Sequence, residues 1–176
     1  MRITEQFNND PLVTFEYTDA DGFEGLEKEH IKQSYGICFC EGKLVIVFGY
    51  FGSQKREWGF PGGRIEKGET YEQALKREIQ EESNMEVLAY LPVGYQKGSK
   101  VGHGFSYQLR YVCLVRPFGE FVEDPAGGVI TEVKLIDPAD YKKYLDWGKI
   151  GDRFVERGLE LLPKLLESRS KIIPGD

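Results

Sequence analysis

This chain has too few cysteines, at the wrong spacing, for a disulfide framework or a zinc site. Its 176 residues hold three, Cys38, Cys40 and Cys113, an odd number with none of the spacings that close a zinc site. All three are expected to be reduced. Cys38 and Cys40 alternate within YGICFC and should share one face of a strand as small buried hydrophobes. A long apolar run is missing as well. The amino terminus MRITEQFNND lacks the core of a signal peptide, and no stretch approaches the roughly 18 apolar residues of a membrane span, so a cytoplasmic protein with no membrane partner is expected. Positive charge is also scarce: 23 Lys and Arg against 29 Asp and Glu give a net charge of -6. That balance argues against long nucleic acid, whose sequence-independent binding runs on clustered cations. A small anionic substrate stays open, because a bound cation can reverse the local field. No internal repeat or low-complexity linker divides the chain, and its length favours one domain.

What is present is an ordinary globular composition, 40% hydrophobic, 13% aromatic and 30% charged. In the first thirty residues VTFEY reads as a strand, followed by a turn at Asp19, Ala20, Asp21 and Gly22 and then a polar stretch. Residues 35–40 and 43–48 are β-prone runs joined by Glu41 and Gly42, the signature of a tight hairpin. A polar loop is expected over 49–57, and a sharp turn at Trp58, Gly59, Phe60, Pro61, Gly62 and Gly63. Residues 70–83 form the best-marked helix: no Gly or Pro, Thr70 and Gln73 in capping-box spacing, and Asn84 suited to a left-handed C-cap. Further strands are expected at 86–91, 105–115 and 131–136, with Gly-bearing loops between them. Asp137 and Pro138 then open a helical tail interrupted at Pro163.

The helix carries the chemistry. At about 100° per residue its apolar side is Tyr71, Ala74, Leu75 and Ile79, an arc of roughly 140°. Glu78 and Glu82 fall inside that arc and Glu81 at its edge, where surface glutamates do not normally sit. Carboxylates three and four apart repel, and turning them inward adds a desolvation cost of several kcal/mol for each unpaired charge, on the order of magnitude of a lost buried ion pair. No Lys or Arg on the same helix face offers an obvious counter-charge. Two readings are open at this point. A hard divalent cation, Mg²⁺ or Mn²⁺, binds the three carboxylates. Otherwise they reach solvent at the rim of the buried face or pair with Lys and Arg from elsewhere.

The stretch GRIEKGETYEQALKREIQEESNM is similar to the Nudix box: Gly63, five residues, Glu69, seven residues, Arg77, Glu78, Ile79, one residue, Glu81, Glu82, one residue, Asn84 and Met85. Only Asn84 departs, where the family usually has Gly, and Asn adopts the same left-handed cap. Phe60, Pro61 and Gly62 also resemble the family's approach to the box. The resemblance implies an α/β (α+β) fold, a mixed sheet sandwiched between helices, formed by one Nudix hydrolase domain over 1–176 with an N-terminal strand extension and the helical tail. It implies a Mg²⁺- or Mn²⁺-dependent hydrolase that cleaves the diphosphate of a nucleoside diphosphate derivative such as a nucleoside triphosphate, nucleotide sugar or ADP-ribose.

On that resemblance Gly63, Glu78, Glu81 and Glu82 are the metal ligands, while Glu69 and Arg77 tie the loop to the helix. Glu81 is the first candidate for the base. Because some members take it from a later loop, Glu120, Glu123, Asp124 and Glu132 are alternatives, with Glu132 preferred. Arg56, Arg64 and Lys67 are candidates for phosphate oxygens. Trp58, Tyr95, Phe105 and Tyr107 are candidates for stacking on a base, although Phe105 by itself reads as core; His103 sits in a Gly-flanked loop. No marker after the box identifies a substrate, and homodimerisation is an expectation from the family. Two rival readings stand beside this one. An isopentenyl diphosphate isomerase on the same fold needs histidine ligands, and this chain has only His30 and His103. A non-catalytic nucleotide-sensing module usually loses box glutamates, and all are kept here.

Overall fold

The computed structural model describes residues 1–7, 10–51, 55–120 and 130–170. Among the described residues nine strands form one sheet: β1 (Arg2–Phe7), β2 (Asp10–Asp19), β3 (Ile31–Cys40), β4 (Lys43–Tyr50), β5 (Arg56–Gly59), β6 (Gly62–Arg64), β7 (Met85–Lys100), β8 (Gly104–Pro117) and β9 (Ile130–Ile136). The described residues also form two α-helices, α1 (Tyr71–Ser83) and α2 (Gly148–Ser170), with 3-10 turns at Lys28–His30 and Pro138–Lys143. The strand order is β1-β2-β7-β8-β3-β4-β5, with β6 on β3 and β9 on β4. β3 and β8 run parallel and the other pairs antiparallel, so the sheet is mixed.

Period-two alternation assigns the two faces. Ile37, Phe39, Leu44, Ile46, Val112 and Leu114 point to one side, where Ile150, Phe154 and Leu165 of α2 cover them. Cys38, Cys40, Val45, Leu109, Tyr111 and Cys113 point to the other, under Leu75 and Ile79 of α1. The sheet is therefore sandwiched between helices, as expected, and all three cysteines are free and buried. Each fully buried aliphatic side chain contributes about 1.5–3 kcal/mol, so the paired faces hold the helices against the sheet. Among the described residues no helix is long and apolar enough to cross a membrane.

The β3–β4 hairpin turns on Glu41 and Gly42, with φ of 49° and 78°, the left-handed pair that a two-residue connection requires. Its ladder joins only Cys38–Cys40 to Lys43–Val45. Beyond that point the strands part: β3 pairs with β6 through residues 33–35, and β4 pairs with β5 through residues 47–50. Phe60 and Pro61 link β5 to β6 inside the opening, which delivers Gly62 and Gly63 to the edge of β3.

Four expectations are corrected. Residues 49–57 are not one polar loop, because Gly49 and Tyr50 continue β4 and pair with Glu57 and Arg56. The strand expected over 86–91 runs on to Lys100, past Pro92. A register shift between Pro92 and Gly94 absorbs the missing N–H, after which the strand pairs with β2 and β8 on both sides. At the amino terminus β1 joins β2 as a further strand. Finally, Asp137 and Pro138 open only a short 3-10 turn, and the later helix passes through Pro163 without interruption. The lost hydrogen bond falls on the carbonyl of Leu159, an exposed residue, so water can offset it while Phe154 and Leu165 stay buried.

Candidate metal and active site

Local chemistry sets α1 in place. The Thr70 hydroxyl accepts from Gln73 N at 3.2 Å and the Gln73 side chain accepts from Thr70 N at 2.8 Å, the reciprocal box the spacing predicts. At the other end Asn84 lies at φ 52°, ψ 36°, and its N–H donates to the Gln80 carbonyl. Its side chain donates to the carbonyl of Glu120, which an ordinary Gly at this place would not do. The departure from the motif thus keeps the cap and adds a tie to the segment that follows β8.

Two glycines let the helix and strand approach closely. A Cβ on Gly62, whose φ is 142°, would lie 2.4 Å from the Ser34 carbonyl oxygen. A Cβ on Gly63 would lie 2.5 Å from Glu78 Oε2, so Gly63 is where a carboxylate rests against bare backbone. Glu82 is held at the same strand, its Oε2 accepting from Gly62 N at 2.8 Å.

Arg77 organises the rest. Its Nε and Nη2 donate to Glu69 at 2.8 and 3.0 Å, Nη2 also donates to the Arg64 carbonyl at 2.9 Å, and Nη1 donates to Glu78 at 2.9 Å and Glu81 at 3.0 Å. These contacts correct one expectation: α1 does carry a counter-charge. Position 77 lies outside the apolar arc, but its long side chain wraps round to reach Glu78 and Glu81. The correction is partial. One guanidinium serves three carboxylates, Glu69, Glu78 and Glu81.

The electrostatic consequences differ by residue. Arg77's hydrogen bonds, with that from the Glu66 N–H, hold Glu69 down at about 2. Glu78 moves the other way: burial outweighs the help of Arg77, and the charges of Glu81 and Glu69 add to the upward shift. A half-buried acid that stays poorly compensated after its arginine is counted suits a cation, and carboxylate with carbonyl oxygen is the donor set of Mg²⁺ or Mn²⁺. The donor chemistry of these residues suits such an ion, while the described side chains whose ligand atoms already converge within 4.8 Å are Glu27, Glu29 and His30.

Other candidates lie elsewhere in the fold. Arg64 ends β6, exposed, beside this cluster. Arg56 in β5 donates to Thr131 Oγ1 at 3.5 Å and lies over the Tyr50 ring. Trp58 packs on the α2 face against Phe48 and Tyr144, with Lys134 over its ring. Glu132 is exposed in β9, opposite Phe48, so these three gather around β4 rather than around α1. Glu123 and Asp124 lie outside the described residues. Phe105 packs with His30 and Tyr107 as core packing predicts, and His103 is exposed in the β7–β8 turn. A separate group of Glu27, Glu29 and His30 is mostly exposed on the first 3-10 turn.

Sequence reading passed over Tyr35. It stands opposite Gly62 in the β3–β6 ladder. Burial raises its hydroxyl pKa, Arg110 opposes the rise, and Glu82 and Glu78 add to it, which puts Tyr35 within electrostatic range of both carboxylates and Arg110. Its only sequence signal was an aromatic in a strand.

A family model described as the NUDIX domain matches residues 31–157. The Bacillus subtilis pyrophosphohydrolase BsRppH is similar in structure, with a TM-score of 0.70 and 16% identity over 90% of this chain and 96% of that one. A NUDIX hydrolase from Nitrosomonas europaea gives 0.59 and 16% over 71% and 85%. A protein described as an ADP compounds hydrolase gives 0.55 and 17% over 92% and 93%.

Proposed function

Because the chain belongs to the NUDIX domain family, we propose that it is a Mg²⁺- or Mn²⁺-dependent hydrolase of a phosphoric anhydride bond in a small nucleoside diphosphate derivative. The observation that carries this reading is the seating of Glu78 against Gly63 and of Glu82 on the Gly62 N–H, with one guanidinium shared by Glu69, Glu78 and Glu81. Glu78, Glu81, Glu82 and the Gly63 carbonyl would hold the ion. When bound, such an ion neutralises phosphate charge and lowers the pKa of a water molecule.

The chain's own groups do the remaining work. Glu81, more exposed than Glu78 at 38% against 14%, takes the proton of the attacking water, with Glu132 as the alternative base. Gly62 N–H orients Glu82. Glu69 and Arg77 hold the loop and helix in register, and Arg64 and Arg56 offer donors to phosphate oxygens. Trp58 offers an aromatic face. We further propose that residues 1–176 form one domain and that the protein works in the cytoplasm, with a homodimer the expected assembly.

The test is product release from nucleoside triphosphates, ADP-ribose, nucleotide sugars and dinucleoside polyphosphates, with Mg²⁺ or Mn²⁺ and with chelator, for wild type and Glu82→Gln. Cleavage lost on both treatments supports the reading. Tight nucleotide binding without turnover of any compound would replace it with a nucleotide-sensing module.

A further inference from the structure

Arg110 lies in the middle of β8 on the α2 face, only 4% exposed. Its guanidinium carbon lies over the Tyr35 ring at 4.3 Å and over the Phe154 ring at 4.6 Å. Nη2 donates to Gln108 Oε1 at 2.6 Å and to Gln96 Oε1 at 3.3 Å. Nε and Nη1 are buried and have no partner among the described residues. The side chain still carries charge at neutral pH, although burial lowers its pKa to about 10. Arg77 and Arg153 are each ringed by carboxylates; the described hydrogen bonds of Arg110 run only to amides. A buried cation with two unused donors is costly unless something else meets it.

The neighbouring groups form a chain that fixes their orientation. Gln108 gives its oxygen to Arg110 and its Nε2 donates to Gln33 Oε1 at 2.6 Å; Gln33 Nε2 donates to the Tyr35 hydroxyl at 3.1 Å. With Tyr35 accepting there, its own proton is left to donate. Gln33, Tyr35 and Gln108 are partly exposed, so the chain opens to solvent at its outer end. At that end Tyr35 pairs with Gly62, whose N–H holds Glu82.

We propose that Arg110 and Tyr35 read the keto edge of a nucleobase while its phosphates sit at the α1 carboxylates. This deepens the hydrolase reading above and rests on it for where the phosphates lie. Two aromatic rings lie against the guanidinium, so a ligand that displaces the partly exposed side chains of Gln33 and Gln108 beside Tyr35 meets it through the N–H edge, as a planar base does. Guanidinium and tyrosine hydroxyl supply donors, which suit the O6 and N7 acceptors of guanine or hypoxanthine. Adenine puts an amino group where O6 would be and sets donor against donor.

The experiment is calorimetric titration of the full chain, with Mg²⁺, by the α,β-methylene diphosphates of guanosine, inosine and adenosine, whose carbon bridge resists hydrolysis. Guanosine and inosine compounds should bind roughly 5- to 150-fold more tightly than the adenosine compound. That ratio should fall towards one in Arg110→Lys and in Tyr35→Phe, each checked for an intact thermal transition. If Arg110→Lys does not fold, Tyr35→Phe and Gln108→Leu carry the test. Equal affinities in wild type, no binding of any of the three, or a ratio unchanged in the folded variants would overturn the proposal. Preferred binding without cleavage of the natural diphosphates would overturn the hydrolase reading alone; cleavage without preference would overturn this one alone.

Discussion

Each helix of this protein builds a cluster of acids around one arginine, and the two clusters have opposite characters. On α2, Arg153 donates to Asp19 at 2.7 Å, to Glu156 at 2.7 Å and to Glu160 at 2.8 Å. Two of those acids are shared with further cations, the terminal ammonium reaching Asp19 and Arg157 reaching Glu160, and Arg157 also holds Asp21. The charges alternate in sign and tie β2 to α2. On α1, Arg77 alone faces Glu69, Glu78 and Glu81 among the described contacts, one cation for three acids beside the glycine strand. The first arrangement stabilises the native chain by itself. The second leaves a deficit of positive charge at one point of the surface, which is what a cation-dependent enzyme needs.

The largest effect that separates the clusters should be catalytic. Glu82→Gln keeps an oxygen for Gly62 N–H but removes charge, and kcat/KM on the substrate found by the panel should fall by about 10²–10⁴-fold. Asp19→Asn should leave kcat/KM near wild type; a comparable fall there would end the contrast. Metal should act on one cluster alone. At a hundredfold excess over its Kd, Mg²⁺ should raise unfolding stability by about 2.7 kcal/mol in wild type, with most of that gain absent from Glu82→Gln in chemical denaturation.

Asp19→Asn should instead cost about 1.5–3 kcal/mol of stability in neutral solution, the usual loss for a part-buried charged hydrogen bond. Its pH dependence has a definite sign. Burial raises the Asp19 pKa, but the hydrogen bonds from Arg153 and the terminal ammonium outweigh it and hold the carboxyl below its ordinary 3.8. The contribution is therefore present above pH 3.8 and is lost as the pH falls through the lower folded value. The variant and wild type should converge in acid melts.

The smallest effect should have the reverse sign. Burial raises the Glu78 pKa above its ordinary 4.5, so without metal its charge opposes folding at neutral pH. Glu78→Gln should stabilise the metal-free chain by about 0.5 kcal/mol near pH 7, a gain that disappears by pH 4.5 in urea unfolding. A loss at neutral pH would mean that Arg77 compensates Glu78 fully, and the two clusters would then be alike.

Local rules determined a good deal of this protein. The capping box, the left-handed Asn84, the Glu41–Gly42 turn and the inward glutamates follow from interactions within a few residues, or from a helical period that projects side chains in known directions. Those features specify the helix and its acids before any packing is known, and with the box spacing they indicate the fold class. Tertiary structure decided what depended on neighbours distant in sequence. Pro92 was tolerated in β7 because it lies before the β2 ladder, which begins at Gly94, and at a register shift against β8, and Pro163 stayed in α2 because the helix had an apolar sheet to cover. Arg77 became a shared counter-charge only when the loop carrying Glu69 closed on it. Arg110 stands in an apolar strand, where its charge was visible in the sequence, but its buried, carboxylate-free setting arises from β3, β7 and α2 together. Periodicity tells which way a side chain points; only the assembled sheet and helices decide what it meets there.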